Sequence, residues 1–422
     1  MNHKAWVAKA AKQSMALESV DLGPRGAEDV EVAVEHCGLC HSDLSVLNNE
    51  WGISQYPAIL GHEVVGRITA VGPNTKGAKV GQRVGVGWFS GSCMHCRQCM
   101  SGRHHLCPQV QPTIIGHRGG FATHIRAHWA WVFPLPEKLN FAEAGPLLCG
   151  GITVFAPLVM YAKSIDRVGI IGIGGLGHMA VKFAAACGFD VTAFTSSESK
   201  FEEAKGFGAN HAVSTKDSAA IGKLGGRFDL LISTVNVKLD WDAMIGTLAP
   251  NGRLHVVGAV VEPIPVAAFP LILQQRSVSG SPTGSPVAIA TMLDFASRHK
   301  IAPQTEHFPM SHINEAFARL ESGKARYRIV LDADFWFALC EIGGTGDESS
   351  KKGVHHSAKA TNCDALCGVT VCGHGPRSGH VDSPVHGQRA GRGIRRSPPS
   401  AGCHALAEPR DRRRETHSGH LW

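Results

Sequence analysis

The sequence lacks the features that would send a chain to, or through, a membrane. Its first residues, MNHKAWVAKAAKQS, hold neither the apolar stretch nor the small-residue cleavage site of a secretory signal. The long apolar stretch near residue 170 is interrupted by glycines, so no spanning helix is expected there. A cytoplasmic protein with no membrane partner is the expectation. Concentrated charge is also missing from most of the chain. Of the 42 Lys plus Arg and 35 Asp plus Glu, 12 and 8 lie from Trp336 onward, which leaves only +3 of the formal +7 for the first 335 residues. That balance gives no polyanion signature, and nucleic acid is not an expected partner.

Apolar residues are scarce in one place. From Trp336 to the end, 12 of 87 residues are Leu, Ile, Val or Phe, while Gly, His, Arg, Ser and Pro abound. Such a segment cannot bury enough surface to offset its ordering entropy, so 336–422 is expected to be a low-complexity, disordered tail. His355, His356, Cys363, Cys367 and Cys372 lie in it at irregular spacing, which reads as incidental rather than as a metal site. An accessory binding segment and an extension from a shifted reading frame both remain open.

The rest is 43% hydrophobic over the whole chain and long enough for two or three domains with a large core. Residues 28 to 135 carry short β-rich runs such as DVEVAVEHC, HEVVGRITAVG and QRVGVGWF between Gly, Pro and Asn turns, which predicts a compact β-barrel-like domain. From Ser164 strands and amphipathic helices alternate: RVGIIGIGG, HMAVKFAAACG, DVTAFT, SKFEEAKGFG, DLLISTV. This predicts a doubly wound parallel sheet. After about Ser281, two helical stretches and the strand in ARYRIVLDADFW are expected to return to the first domain. The fold class is therefore α/β and β, with a catalytic domain in two parts, 1–149 and 283–335, around a cofactor domain at 150–282.

Within the second region IIGIGGLGHMAV places Gly172, Gly174 and Gly177 between a strand and a helix, with Gly175 and Leu176 inside the turn. The first glycine allows a tight turn, the second lets a pyrophosphate approach the backbone, and the third lets helix and strand pack closely. The phosphates would lie at the positive end of the helix. A purely structural turn is the alternative. In dinucleotide-binding units the second strand normally ends in an acidic residue that bonds the ribose. Here that position is Thr195 in AFTSSESK. Thr195, Ser196 and Ser197 can bond a 2′-phosphate and Lys200 supplies charge, which predicts NADP(H) over NAD(H); a loop that merely starts the next helix is the plainer reading.

Thirteen cysteines would suggest disulfides outside the cell, but in a reducing compartment and at close intervals they suggest metal. GSCMHCRQCMSGRHHLC sets Cys93, Cys96, Cys99 and Cys107 at intervals of three, three and eight. One loop can wrap four thiolates round a tetrahedral zinc, leaving no open position, so this site is structural. A reactive zinc needs fewer protein ligands, gathered from separate places. Cys40, His62 and Cys149 are candidates, but spacing alone does not bring them together.

The segments GLCHSDL, GHEVVGR, the four-cysteine loop, PLLCGGITVF and GIGGLGHMAVKFA follow one another in the order found in zinc-dependent medium-chain alcohol dehydrogenases. The chain resembles their cinnamyl-alcohol-dehydrogenase-like branch of NADPH-dependent aldehyde reductases, from the first strand to about Asp334. The resemblance implies a GroES-like barrel for the catalytic domain and a Rossmann cofactor domain. It implies that Cys40, His62 and Cys149 hold a catalytic zinc, with Glu63 as an occasional ligand and Cys37 as a buried bystander. The second zinc makes two per chain. Three protein ligands leave a fourth position at which zinc polarises a carbonyl.

By the same resemblance Asp43 orients His62, Ser42 bonds the substrate oxygen and passes a proton, and His41 faces the cofactor pyrophosphate. Thr153 contacts the nicotinamide and Arg328 the pyrophosphate. Many relatives end the proton path in a histidine five positions after the zinc cysteine; this chain has Ser45 there. The path is then expected to end in water, in a cofactor phosphate or at His41. Trp51, Trp88 and Phe89 are candidates for an apolar substrate pocket, with ordinary exposed or core positions as the equal alternative. Relatives pair through their cofactor domains, so a homodimer or tetramer is expected. An aldehyde reductase, reversible as an alcohol dehydrogenase, is the functional expectation. The alternative is a zinc- and dinucleotide-binding protein without turnover, acting as a sensor or in association with nucleic acid.

Overall fold

The computed structural model describes residues 3–163 and 165–335. The expected disorder of 336–422, with its scattered histidines and cysteines, lies outside the described residues. Among them no helix is long and apolar enough to cross a membrane.

Two sheets organise the chain. The first has the strand order Thr305–Pro309, Arg328–Asp332, Asp29–Leu39, Glu63–Val71, Arg83–Val86, Val132–Pro134, and His124–His128 also pairs with Asp29–Leu39. Its pairs are antiparallel except that between Thr305–Pro309 and Arg328–Asp332. The chain thus returns to its N-terminal sheet after leaving it. Asp29–Leu39 and Glu63–Val71 shift register at two bulges, Glu31/Val32 and Val34/His36. Bulges bend a ladder and increase its twist. Val30, Val32, Leu39, Val64, Ile68, Ile125 and Ile329 turn inward and are buried.

The second sheet is wholly parallel, in the order His211–Ser214, Asp190–Thr195, Arg167–Ile171, Phe228–Ser233, Leu248–Val256, Ser277–Gly280. Numbered along the chain this is 3-2-1-4-5-6, so the winding reverses between Arg167–Ile171 and Phe228–Ser233, where such sheets open a crevice. Val168, Ile170, Val191, Ala193, Leu230 and Ile232 are buried on one face against helices, and Ile171, Phe194, Phe228 and Leu231 on the other. Near-continuous apolar runs are what a sheet covered on both faces demands. Phe155, Phe183 and Phe228 are almost completely buried. Each buried ring contributes about 1.5–3 kcal/mol relative to exposure.

Candidate active site

Cys40 ends the long strand Asp29–Leu39 and begins the helix His41–Asn48. The Cys40 amide donates to Asp43 Oδ2 at 2.9 Å, closing the first turn of that helix. His62 precedes the neighbouring strand Glu63–Val71, and Cys149 stands where a short 3₁₀ turn, Gly145–Leu148, gives way to the helix Gly150–Tyr161. Three chain segments far apart in sequence thus converge. One ligand atom from each of Cys40, His62, Glu63 and Cys149 lies within 4.8 Å of all the others, and all four residues are buried.

The donor chemistry of this group fits zinc. His62 Nε2 lies 3.2 Å from Cys149 Sγ. The bond it shares with Cys149 holds the Cys40 thiol well below the ordinary thiol range and pushes that of Cys149 well above it. Two thiols and an imidazole this close and this buried form a donor set that a zinc ion would neutralise. Asp43 is fully buried and accepts from the Gly61 amide at 2.9 Å as well as contacting His62 Nδ1 at 3.1 Å. An ionised carboxylate is an acceptor only, so the Nδ1 proton points at Asp43 and Nε2 is the ring atom that faces the sulfurs. Glu63 pairs with the buried Arg328, while its Oε2 has no partner among the described residues. Burial, opposed by Arg328, pushes the Glu63 carboxyl up to about 7.

The second group is Cys93, Cys96, Cys99 and Cys107. Sulfur pairs in it stand 3.5, 3.8 and 4.0 Å apart. Those distances exceed any disulfide, and a tetrahedral zinc with bonds of about 2.3 Å requires edges of about 3.8 Å. Gln109 and Cys96 amides donate to the sulfurs of Cys107 and Cys93, each at 3.3 Å.

A cleft of about 530 Å³ runs from Cys40 to the C-terminal edge of the parallel sheet. His41, Ser42, Ser45 and Trp51 line one side, and Gly172, Gly174, Gly175, Leu176, Thr195, Ser196 and Lys200 the other. The glycines have separable causes. Gly172 has φ +91°, which suits only glycine, and a Cβ on Gly177 would sit 1.7 Å from the Gly172 carbonyl oxygen. A Cβ on Gly174 would meet no protein atom within 4 Å. The fold therefore does not require that glycine, whereas a ligand pressed against the loop would.

Comparison with known proteins agrees with this geometry. Residues 26–137 match the alcohol dehydrogenase GroES-like domain and residues 175–298 the zinc-binding dehydrogenase domain. The chain is 53% identical over 329 residues to aldehyde reductase AdhA of Synechocystis, covering 78% of this chain and 98% of that protein. It is 36% identical over 338 residues to NADP-dependent alcohol dehydrogenase C 1 of Mycolicibacterium smegmatis, covering 78% and 97%. A solved cinnamyl alcohol dehydrogenase from Sorghum bicolor superposes with a TM-score of 0.76 at 35% identity, covering 83% of this chain and all of that one. The chain belongs to the zinc-dependent medium-chain alcohol dehydrogenase/reductase family. It is an oxidoreductase of alcohols and aldehydes.

In this dehydrogenase several expected residues take other places. Phe89 is 6% exposed and packs edge-on against Trp131 at 5.5 Å, so it is core and not pocket wall. Its strand, Phe89–Gly91, is buried throughout, which no local pattern announced. Trp88 is not in the cleft lining either: it stands edge-on to His62 at 4.8 Å and to Trp51 at 6.2 Å, backing the metal group. Trp51 alone of the three lines the cleft. Ser197 Oγ turns to Ser199 at 2.7 Å and is absent from the cleft lining, while its amide donates to Thr195 Oγ1 at 3.3 Å. Lys200 Nζ donates to the Ile173 carbonyl at 2.8 Å, at the base of the glycine turn. Thr153 is buried in the first turn after Cys149.

Two residues escaped the sequence reading. Ser45 Oγ donates to Glu50 Oε2 at 2.7 Å, and that bond holds the Glu50 carboxyl below its ordinary range. The signal was Asn49: a left-handed residue at φ 55° ends the helix, turns the chain back, and lets the Glu50 amide bond the Ser45 carbonyl at 2.9 Å. Asn236, just past the strand Phe228–Ser233, meets His41 Nε2 at 3.4 Å across the cleft. Two residues earlier, Thr234 Oγ1 donates to the Ile171 and Gly172 carbonyls at 3.0 and 2.9 Å, fixing the start of the glycine turn.

Proposed function

We propose that this enzyme reduces aldehydes to primary alcohols with NADPH, and works in reverse as an NADP-dependent alcohol dehydrogenase. The observation that carries this reading is the convergence of Cys40, His62 and Cys149 on a cleft whose far wall is a dinucleotide-type glycine turn. Zinc held by those three residues supplies Lewis acidity toward the carbonyl oxygen, and NADPH supplies the hydride. What this chain adds is position and proton traffic. Asp43 fixes the tautomer of His62. Glu63 is an alternative ligand kept in reserve by Arg328. Ser42, half-buried at the cleft, bonds the substrate oxygen, delivering its proton in aldehyde reduction and taking it toward solvent in alcohol oxidation. Ser45, whose hydroxyl donates to the exposed Glu50, would carry the proton on to the Glu50 carboxylate, a fourth end beside the three expected from sequence.

Thr195, Ser196 and Lys200 receive the 2′-phosphate, and a hydroxyl rather than a carboxylate at Thr195 favours NADPH. His41 and Arg328 serve the pyrophosphate, and Thr153 the nicotinamide. Trp51 supplies an apolar wall for aromatic or aliphatic aldehydes. Cys93, Cys96, Cys99 and Cys107 hold a structural zinc. The enzyme is cytoplasmic and forms a homodimer or tetramer through the edge strand Ser277–Gly280 and the helix Ala268–Gln274, whose Phe269, Ile272 and Leu273 are exposed.

The deciding experiment is an aldehyde panel with NADPH and NADH on full-length protein and on a chain ending at Asp334, with zinc content measured. Two zinc ions per chain and aldehyde-dependent NADPH oxidation are expected from both. No turnover over the panel, or equal turnover with NADH at limiting concentration, would contradict the proposal.

A further inference from the structure

We infer that His178 is a positioning residue for the dinucleotide: it fixes the Gly174–Gly175 peptide so that the Gly175 amide is presented to the cleft. This rests on the dinucleotide reading above. His178 is fully buried, near the start of the helix Gly177–Ala186, and is not part of the cleft lining. Its two ring nitrogens are both satisfied. Nδ1 meets the Gly174 carbonyl at 3.0 Å, and Nε2 accepts from the Gln304 amide at 3.2 Å. A carbonyl only accepts and an amide only donates, so the ring is neutral with its proton on Nδ1. Burial, which holds it down to about 3, agrees.

The Gly174 carbonyl accepts a second bond, at 3.1 Å, from the His178 backbone amide. One residue therefore holds this oxygen twice and draws it inward toward the helix. In a planar trans peptide the carbonyl and the following amide point in opposite directions. With the Gly174 carbonyl held inward, the Gly175 amide points outward. Gly175 lines the cleft, and among the described residues no group accepts from its amide. An outward amide at a helix start is a donor for a phosphate oxygen.

The imidazole is itself clamped. It stacks on Tyr327 at 4.9 Å with the planes 14° apart, and meets Phe207 edge-on at 5.7 Å. Tyr327 is anchored through its hydroxyl to Glu203. The next residue, Arg328, pairs with Glu63 beside the metal group, and a Cβ on Gly175 would lie 3.0 Å from its guanidinium. One buried ring thus ties the glycine turn to the segment around Gln304 and to the start of the strand Arg328–Asp332. Without the Nδ1 proton the peptide between two glycines, residues with the widest backbone freedom, keeps only the backbone bond and is held less firmly.

The test compares three variants of the full-length, zinc-loaded protein by NADPH fluorescence titration without aldehyde, with melting curves and kcat and KM alongside. His178→Phe keeps a ring and loses both bonds. His178→Asn places a carboxamide donor near Nδ1, and His178→Gln places an acceptor near Nε2. The dissociation constant for NADPH is expected to rise about tenfold in His178→Phe, the effect of one hydrogen bond's worth of lost orientation. The kcat at saturating cofactor should stay within about twofold. His178→Asn should recover most of the affinity and His178→Gln should not, whichever of the two melts higher. The inference is overturned if His178→Phe binds NADPH as tightly as the native protein, or if affinity across the variants follows melting temperature. A native protein that binds neither NADPH nor NADH would sink the dinucleotide reading and this inference with it; tight native binding unaltered in His178→Phe would sink the inference alone.

Discussion

Replacing Asp43 by Asn would isolate what a single buried carboxylate does for the metal group. Asp43 is fully buried and makes only contacts in which it accepts: the Cys40 amide at 2.9 Å, the Gly61 amide at 2.9 Å and His62 Nδ1 at 3.1 Å. Asparagine offers one oxygen and one NH₂ group. If the oxygen keeps Gly61 and His62, both of which meet the same Asp43 atom, the NH₂ faces the Cys40 amide and two donors are left opposed. Losing a charged hydrogen bond and stranding a buried donor costs about 1.5–3 kcal/mol. The two remaining bonds weaken as the charge disappears, so the total is about 3–5 kcal/mol. At roughly 2–4 °C per kcal/mol, melting should fall by about 6–20 °C. Zinc should be held about 10–100-fold more weakly at Cys40, His62 and Cys149, because the imidazole loses its orienting partner. The assay is thermal unfolding of the zinc-loaded protein with competition against a chromophoric chelator. The four-cysteine group serves as an internal standard whose affinity should not change. A variant that melts within about 2 °C of the parent and releases zinc no faster would refute the reasoning.

The remaining predictions concern other parts of the site. Glu50→Gln should lower alcohol-oxidation kcat about tenfold or more, and Ser45→Ala should do likewise, in keeping with the loss of a general base. Because the Ser45 hydroxyl depresses the Glu50 carboxyl, the acid limb of the native pH profile should lie below the ordinary glutamate range; a histidine-like limb that survives Glu50→Gln would count against this path. Thr195→Asp should raise KM for NADPH at least about tenfold and lower that for NADH, by placing a carboxylate where the 2′-phosphate is read; an unchanged cofactor ratio would remove Thr195 from that role. Cys99→Ser should reduce zinc content from two ions to one and lower the melting temperature, and retention of both ions would show that three sulfurs suffice. Asp332 bonds His36 at 2.7 Å and His307 at 3.0 Å; burial raises its carboxyl, but the two imidazoles outweigh this and hold it below its usual value. Its stabilising effect is present above the unfolded value and fades as pH falls through the folded one, so Asp332→Asn should flatten the acid side of the stability curve by up to about 1 kcal/mol. An unaltered curve would refute that linkage.

The Ser45–Glu50 pair shows where the sequence reading stopped. Serine in the position usually held by a histidine was visible at once, but its partner was not. Glu50 reaches Ser45 only because Asn49 adopts a left-handed conformation and folds the chain back on itself. Phe89 shows the opposite error. An aromatic residue beside Trp88 suited a pocket, yet Phe89 begins a strand that is buried throughout and packs edge-on against the buried Trp131.

By itself the sequence determined what depends on close spacing or on backbone freedom. The four cysteines of one loop, the glycine turn between strand and helix, and the alternation of apolar strands with amphipathic helices are local, and each has one physically sensible outcome. The tertiary structure alone decided what depends on distant segments meeting. Cys40, His62 and Cys149 become one group because two adjacent antiparallel strands and the turn after Gly145–Leu148 end at the same point. Arg328 faces Glu63 because the last strand pairs antiparallel with Asp29–Leu39. His178 holds the glycine turn because Gln304 and Tyr327 return from the other end of the chain. Spacing along a sequence carries no information about such meetings; sheet register and burial do.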